Sequence, residues 1–277
     1  MERIASMEIT RDTVAVITGG ASGMGRSTAL ALARSGASVA IADLNEARIA
    51  ETVAELEALG VGALGVRCDV SRPEDIANLR DRTVERFGRV DILMNNAGIL
   101  PLGSISAMPL AEFERAMRVN FLAVVCGVQT FLPDLAARGQ AHIVNTASMA
   151  GTFAYEPDSV AYNASKAAVI SLTENLALGL APQGIGVTCL VPGGVATNIM
   201  EQVKVSGEIG DLASYVGAHF VMRTADEVGE MVVAAIRDNT YFLPTNPELV
   251  ALLARRAADP DGFVHEMQDW FAAHQPA

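Results

Sequence analysis

Several things are scarce in this chain of 277 residues, and each scarcity narrows the reading. There are three cysteines, Cys68, Cys126 and Cys189, far apart and odd in number. No C-x-x-C spacing occurs, which argues against a disulfide framework and a zinc site. Reduced thiols in a cytoplasmic compartment are expected. The four histidines, His142, His219, His265 and His274, are scattered, so no metal is expected. Positive charge is short: Lys plus Arg number 20 against 32 Asp plus Glu, a net charge of −12 with no basic cluster. That disfavours binding to a nucleic-acid backbone. The stretch 175–200 carries no charge, but Pro182, Gly184, Gly186, Pro192, Gly193 and Gly194 divide it. A membrane-spanning helix needs about 20 continuous apolar residues, so this stretch reads as buried core. The opening MERIASMEITRD mixes both charge signs without an apolar run and does not read as a signal peptide.

What is present is a folding chain. Hydrophobic residues make up 51% and charged residues 19%, a balance that excludes disorder. Short β-branched runs alternate with helical patterns. Strands are expected at 14–18, 38–42, 63–67, 91–94, 142–145 and 186–191. Helices are expected at 23–34, 45–59, from Pro73, over 110–137 with Pro133 marking a kink or end, and over 161–181. This β-α-β order implies a parallel sheet with helices on both faces. The last third is less regular: 206–220 is loop-like, 225–237 helical, 241–243 a final strand, and 248–258 and 261–274 two more helices. Phe263, Met267, Trp270 and Phe271 fall on one face of the last helix. They suit packing on the domain body, on a partner subunit or over a site mouth. One domain, residues 1–277, is expected, with a core at about 10–245 and a helical tail at 246–277.

Directly after the first strand comes Thr18-Gly19-Gly20-Ala21-Ser22-Gly23-Met24-Gly25. Glycines there let the backbone turn tightly beside a pyrophosphate, and the next helix offers free N–H groups at its start. Asn95-Asn96-Ala97-Gly98 ends the fourth strand. Ser148, the pair Tyr162-x-x-x-Lys166, Asn120 in the long helix, and Pro192-Gly193 with Thr197 follow in order. Together these motifs resemble the short-chain dehydrogenase/reductase family over about residues 10–200. The resemblance implies a Rossmann-like, doubly wound α/β fold that binds a nicotinamide dinucleotide.

Asp43 stands 18 residues beyond Gly25 at the end of the second strand. A carboxylate there accepts hydrogen bonds from ribose hydroxyls and repels a 2′-phosphate, favouring NAD over NADP. Ser22 and Leu44, both neutral, agree; Arg48 is the one neighbour that opposes. By resemblance Asp69 and Val70 meet the adenine. Asp43 and Asp69 also suit helix caps. Asn96, Ala97 and Gly98 belong to the cofactor pocket, and Val195 and Thr197 meet the carboxamide by resemblance; Thr197 also suits an N-cap.

Tyr162 and Lys166 sit at i and i+4 on one helix face. A free tyrosine has a pKa of about 10, and a fixed ammonium nearby favours its phenolate. The family pattern then makes Tyr162 the acid/base, with Ser148 positioning the reacting oxygen. Lys166 holds the nicotinamide ribose in that pattern, and Asn120 binds a water that links Lys166 to solvent. Asn120 equally suits a structural role at a helix irregularity. Tyr155 lacks a lysine at i+4 and reads as a substrate-side residue.

Substrate is expected between 149–159 and 198–222. Leu100, Met149, Tyr155, Met200 and Tyr215 suggest an apolar pocket for a hydrophobic secondary alcohol or its ketone; His219 falls in the second segment. A carrier-bound substrate is disfavoured, because Lys204 is the one Lys or Arg between Lys166 and Arg223. The chain departs from the family pattern at its end: Tyr241-Phe242-Leu243-Pro244 is followed by a tail in place of a D-G-G close. A homodimer through the helices at 110–137 and 161–181 is expected, with a homotetramer open. The reaction's direction is open too: an NAD-dependent dehydrogenase, a biosynthetic carbonyl reductase, or a dinucleotide-sensing protein without catalysis.

Overall fold

The structure, a computed structural model, describes residues 6–155, 157–196, 203–209 and 220–273. Its first strand, β1 (Val14–Thr18), is buried along its whole length. Alternation sends Ala15 and Ile17 to one face and Val16 to the other, and both faces are covered. The same holds for its neighbours β2 (Ser38–Asp43) and β4 (Ile92–Asn95), which pair with β1 in parallel. With β3 (Ala63–Arg67), β5 (Ala141–Thr146), β6 (Ile185–Val191) and β7 (Phe242–Pro244) they form one parallel sheet. Its order is β3-β2-β1-β4-β5-β6-β7. Pro244 lies in an edge strand, where a missing N–H is tolerated.

In-register rows cross the sheet. Ile17, Ile41, Met94 and Val144 face helices α1 (Gly23–Arg34) and α2 (Glu46–Ala58) and the later helix Ala225–Asp238. Val16, Ala40, Leu93, Ile143 and Val187 face α3 (Pro73–Phe87), α4 (Leu110–Ala136) and α5 (Val160–Leu180). Each fully buried Ile or Leu contributes about 1.5–3 kcal/mol. The amino ends of β1, β4 and β5 meet at Asp91, whose carboxylate accepts from Val14 N, Arg89 and Arg138.

Two expectations are corrected by α4. Pro133 neither ends nor interrupts the helix, which runs on to Ala136. The interruption comes earlier, as a π-helical turn at Arg118–Leu122 that brings in Asn120, a buried residue. Among the described residues α4 is the one helix long and apolar enough to cross a membrane. Here its Val128, Phe131 and Leu135 pack under the sheet.

The last helices are α6 (Ala225–Asp238), α7 (Glu248–Ala258) and α8 (Pro260–Ala273). A capping box of Thr224 and Glu227 starts α6. Phe263 and Met267 of α8 are buried with Phe153, Met149 and Leu249 in a third apolar cluster. The apolar face of the tail therefore packs on the body of the domain. Two short ladders were not legible in the sequence: Pro101–Leu102 with Lys204–Val205, and Val195–Ala196 with Arg223–Thr224.

His142 is 1% exposed within β5, bonded through Nε2 to Thr188 Oγ1 at 2.8 Å. Burial pushes its pKa from 6.5 down to about 3. The unfolded chain takes up a proton that the fold refuses, so stability is full above about pH 6.5 and falls as pH drops toward 3. His142→Gln, which cannot titrate, is expected to show a shallower loss over that window. Urea midpoints measured against pH for the two proteins check this.

Candidate active site

The two strands flanking β1 are reached by connections running in opposite directions, which leaves a crevice above the carboxyl ends of β1 and β4. A cleft of about 440 Å³ opens there. One end is lined by Ser22, Gly23, Met24, Asp43, Leu44, Asp69 and Val70. The other is lined by Ser148, Tyr155, Tyr162, Lys166, Pro192, Gly193 and Val195, with Gly19, Asn96, Ala97, Gly98 and Leu100 also on its walls.

The glycine loop is locked to the end of β4. Thr18 Oγ1 accepts from Asn96 N at 3.0 Å and Ala97 N at 3.2 Å, and Asn96 Nδ2 donates to Thr18 O and Gly19 O. Gly19 turns with φ +63, and a Cβ on Gly25 would fall 2.1 Å from Gly19 O. Only glycine lets the start of α1 come this close. The Asp43 carboxylate accepts from Ala21 N at 3.3 Å and Leu44 N at 2.8 Å. It does not cap α2; Asn45 does. Asp69 is not a helix cap either: its Oδ1 accepts from Ser71 N and Ser71 Oγ.

At the other end, Ser148 is the N-cap of a short 3₁₀ turn, Met149–Gly151, and accepts from Ala150 N at 3.2 Å. Its hydroxyl stands near enough to Tyr162 to lower the phenol's pKa. Both residues are buried, as is Lys166 one turn along α5. Lys166 Nζ donates to Thr146 O at 2.7 Å and lies 5.8 Å from the centre of the Tyr162 ring. Burial lowers the Lys166 pKa to about 8. Burial also raises the Tyr162 pKa, against the smaller opposing effect of the Ser148 hydroxyl. Desolvation is thus the larger influence on the tyrosine.

Asn120 is 0% exposed and fixed on three sides. Its Oδ1 accepts from Ile99 N at 2.8 Å, and its Nδ2 donates to Ile99 O and to Ser165 Oγ, both at 3.0 Å. Gly98 sits between it and Lys166, its Cβ position 3.3 Å from Asn120 Oδ1 and 3.5 Å from Lys166 Nζ.

Not every sequence candidate reaches the cleft. Met149, expected against substrate, is 1% exposed inside the third apolar cluster and backs the wall from behind. Thr197, Met200, Tyr215, His219 and His274 lie outside the described residues. Arg115 and Val119 also line the cleft and were missed. They stand at i and i+4 on the helix carrying Asn120, a spacing that could have revealed them. Phe153 stacks edge-on against Phe263 of α8 with ring centres 5.4 Å apart, and Arg256 donates to Thr152 O. The tail thus buttresses the loop that carries Tyr155.

The chain belongs to the short chain dehydrogenase family, whose model matches residues 13–206. It is 36% identical over 256 residues to the probable oxidoreductase EphD of Mycobacterium tuberculosis, covering 87% of this chain. It spans 42% of that relative's length. It is 39% identical over 213 residues to 3beta-hydroxysteroid dehydrogenase 2 of Eggerthella lenta, with 74% of this chain and 80% of the relative covered. A short chain dehydrogenase/reductase of Burkholderia phymatum, crystallised with NAD, superposes with a TM-score of 0.80. The two are 33% identical, over 94% of this chain and 96% of that one.

The contact at Gly25 makes a direct test. Gly25→Ala is expected to weaken binding of a nicotinamide dinucleotide about tenfold or more, because the overlap must displace the loop. Titration by nucleotide fluorescence checks it.

Proposed function

We propose that this protein is an NAD(H)-dependent oxidoreductase acting on a hydrophobic secondary alcohol or its ketone. The observation that carries the reading is the buried Ser148–Tyr162–Lys166 group at one end of a cleft whose other end presents Asp43. The cleft suits a dinucleotide: the absent side chains of Gly19 and Gly25 let the loop fold tightly against the start of α1 and the end of β4, which sets Gly19, Ser22, Gly23 and Met24 along the cleft wall. Gly19, Ser22, Gly23 and Met24 would hold the pyrophosphate beside the start of α1. Asp43, with Leu44, would hold the adenosine ribose, and Asp69 and Val70 the adenine. When bound, the cofactor supplies the hydride acceptor for oxidation or the donor for reduction.

The chain's own groups manage the proton and the position of the reacting carbon. In oxidation Tyr162 Oη takes the hydroxyl proton as hydride leaves the carbinol carbon; the products are a ketone, reduced cofactor and a proton. Ser148 holds the reacting oxygen beside Tyr162. Lys166 adds positive charge next to the phenol, and Asn120 fixes the backbone around both. The likeness to a 3beta-hydroxysteroid dehydrogenase and the wall of Tyr155, Leu100 and the backing Phe153 and Met149 support a bulky apolar substrate.

Carbonyl reduction by the same residues has one observation in its favour. Burial keeps Tyr162 protonated, the form that donates to a ketone oxygen. Leu122 and Leu178, exposed on α4 and α5, support pairing of these helices across a two-fold axis in a homodimer. The three free thiols support a cytoplasmic setting.

The test follows NADH formation with a panel running from small polyols to aryl, terpenoid and steroid alcohols. Turnover of the bulky apolar members is expected. Tyr162→Phe should lower kcat by about a thousandfold while NAD still binds; turnover of polyols alone would refute the substrate class. Asp43→Asn is expected to narrow the preference for NAD over NADP by about tenfold, read as the ratio of kcat/KM values, since it removes the charge that repels a 2′-phosphate.

A further inference from the structure

Two polar residues just beyond β7 are buried as deeply as any in the molecule: Thr245 is 0% and Asn246 1% exposed. They lie past the stretch, 13–206, that matches the family model. Burying a hydroxyl and an amide is costly unless their hydrogen bonds are met. Here one continuous relay meets them. Gly193 N donates to Thr245 Oγ1 at 3.0 Å, Thr245 Oγ1 donates to Asn246 Oδ1 at 3.1 Å, and Asn246 Nδ2 donates to Val221 O at 2.9 Å. The Thr245 carbonyl accepts from Arg223 Nε at 3.2 Å, and Arg223 N donates to Gly194 O at 2.9 Å.

The relay begins at the turn after β6 and ends where the chain returns to pair Val195–Ala196 with Arg223–Thr224. Gly193 is shaped to it: a Cβ there would fall 2.4 Å from Asn246 Oδ1. Pro192, Gly193 and Val195 line the cleft together with Ser148 and Tyr162, away from β2, which carries Asp43, and from the loop after β3, which carries Asp69. The side chains of residues 245 and 246 thus fix the wall at the reacting end of the cleft, and among the described residues their hydrogen bonds all lie at that end.

We propose that Thr245 and Asn246 are positioning residues that hold the turn 192–195 in place for the nicotinamide half of the cofactor. This rests on the reading of the cleft as a dinucleotide site. A turn released from the relay has to be ordered by the ligand itself, and that ordering cost appears as lost affinity. The cost falls on ligands that carry a nicotinamide ring and spares those that do not.

The experiment titrates the full chain with NADH and with ADP-ribose, which has the adenosine diphosphate and second ribose but no ring. Thr245→Val keeps the shape and removes the hydroxyl; Thr245→Ser keeps the hydroxyl. Thr245→Val is expected to weaken NADH about tenfold, the scale of one buried hydrogen-bond link, with ADP-ribose unchanged within about twofold. Thr245→Ser is expected to bind NADH like the parent. Should Thr245→Val not fold, Asn246→Ala is read by the same criteria. Equal weakening of both ligands, or no change in either, would overturn the proposal while the parent's NADH binding leaves the cofactor reading standing. A parent chain that binds neither ligand would overturn both.

Discussion

Three hydrogen bonds from one buried amide hold the reacting end of this molecule together. Asn120 grips both backbone groups of Ile99 and the hydroxyl of Ser165, so it joins the loop after β4, the helix α4 and the catalytic-side helix α5. The π-helical turn at Arg118–Leu122 provides the place for it: one extra residue in the turn opens the helix just where the amide stands. An apolar residue there would leave Ile99 N and O buried without partners, at about 1–3 kcal/mol for each. The spacing between Gly98, Tyr162 and Lys166 follows from this one junction.

Burial sets the electrostatics of the same region. Tyr162 and Lys166 on the cleft wall, and Cys189 in the apolar cluster behind it, are all buried, and desolvation moves each toward its neutral form. Tyr162 rises, Cys189 rises to about 12 and Lys166 falls to about 8. Partners within the protein answer only part of this: Thr146 O takes a hydrogen bond from Lys166, and Ser148 lowers the Tyr162 pKa against the larger effect of burial.

Much of this is legible in the sequence. The first strand run, 14–18, reads as buried on both faces, which a sheet covered on both sides accommodates, and the strands appear within one residue of where the runs placed them. The glycine loop, Asp43, Ser148, Tyr162 and Lys166 lay at spacings that the fold brings to one cleft. What failed did so for physical reasons. Pro133 reads as a stop because it lacks an N–H, but a helix packed by Phe131 and Leu135 absorbs one missing bond. Met149 sits next to Ser148 in sequence, yet the 3₁₀ turn carries its side chain behind the wall. The relay through Thr245 and Asn246 left no sequence signal, because its partners, Gly193 and Val221, are long-range backbone groups. The π-helical turn is a backbone event that periodicity averages away.

The central claim is that Tyr162, Ser148 and Lys166 mediate direct hydride exchange between a secondary alcohol and a nicotinamide held in this cleft. It is tested most directly with an alcohol deuterated at its carbinol carbon, incubated with NAD and the protein, and with NMR of the reduced cofactor. The account predicts that deuterium arrives at C4 of the nicotinamide, on one face only, and that Tyr162→Phe abolishes the transfer. Reduced cofactor without the label, or label transferred as fast by Tyr162→Phe, would contradict it.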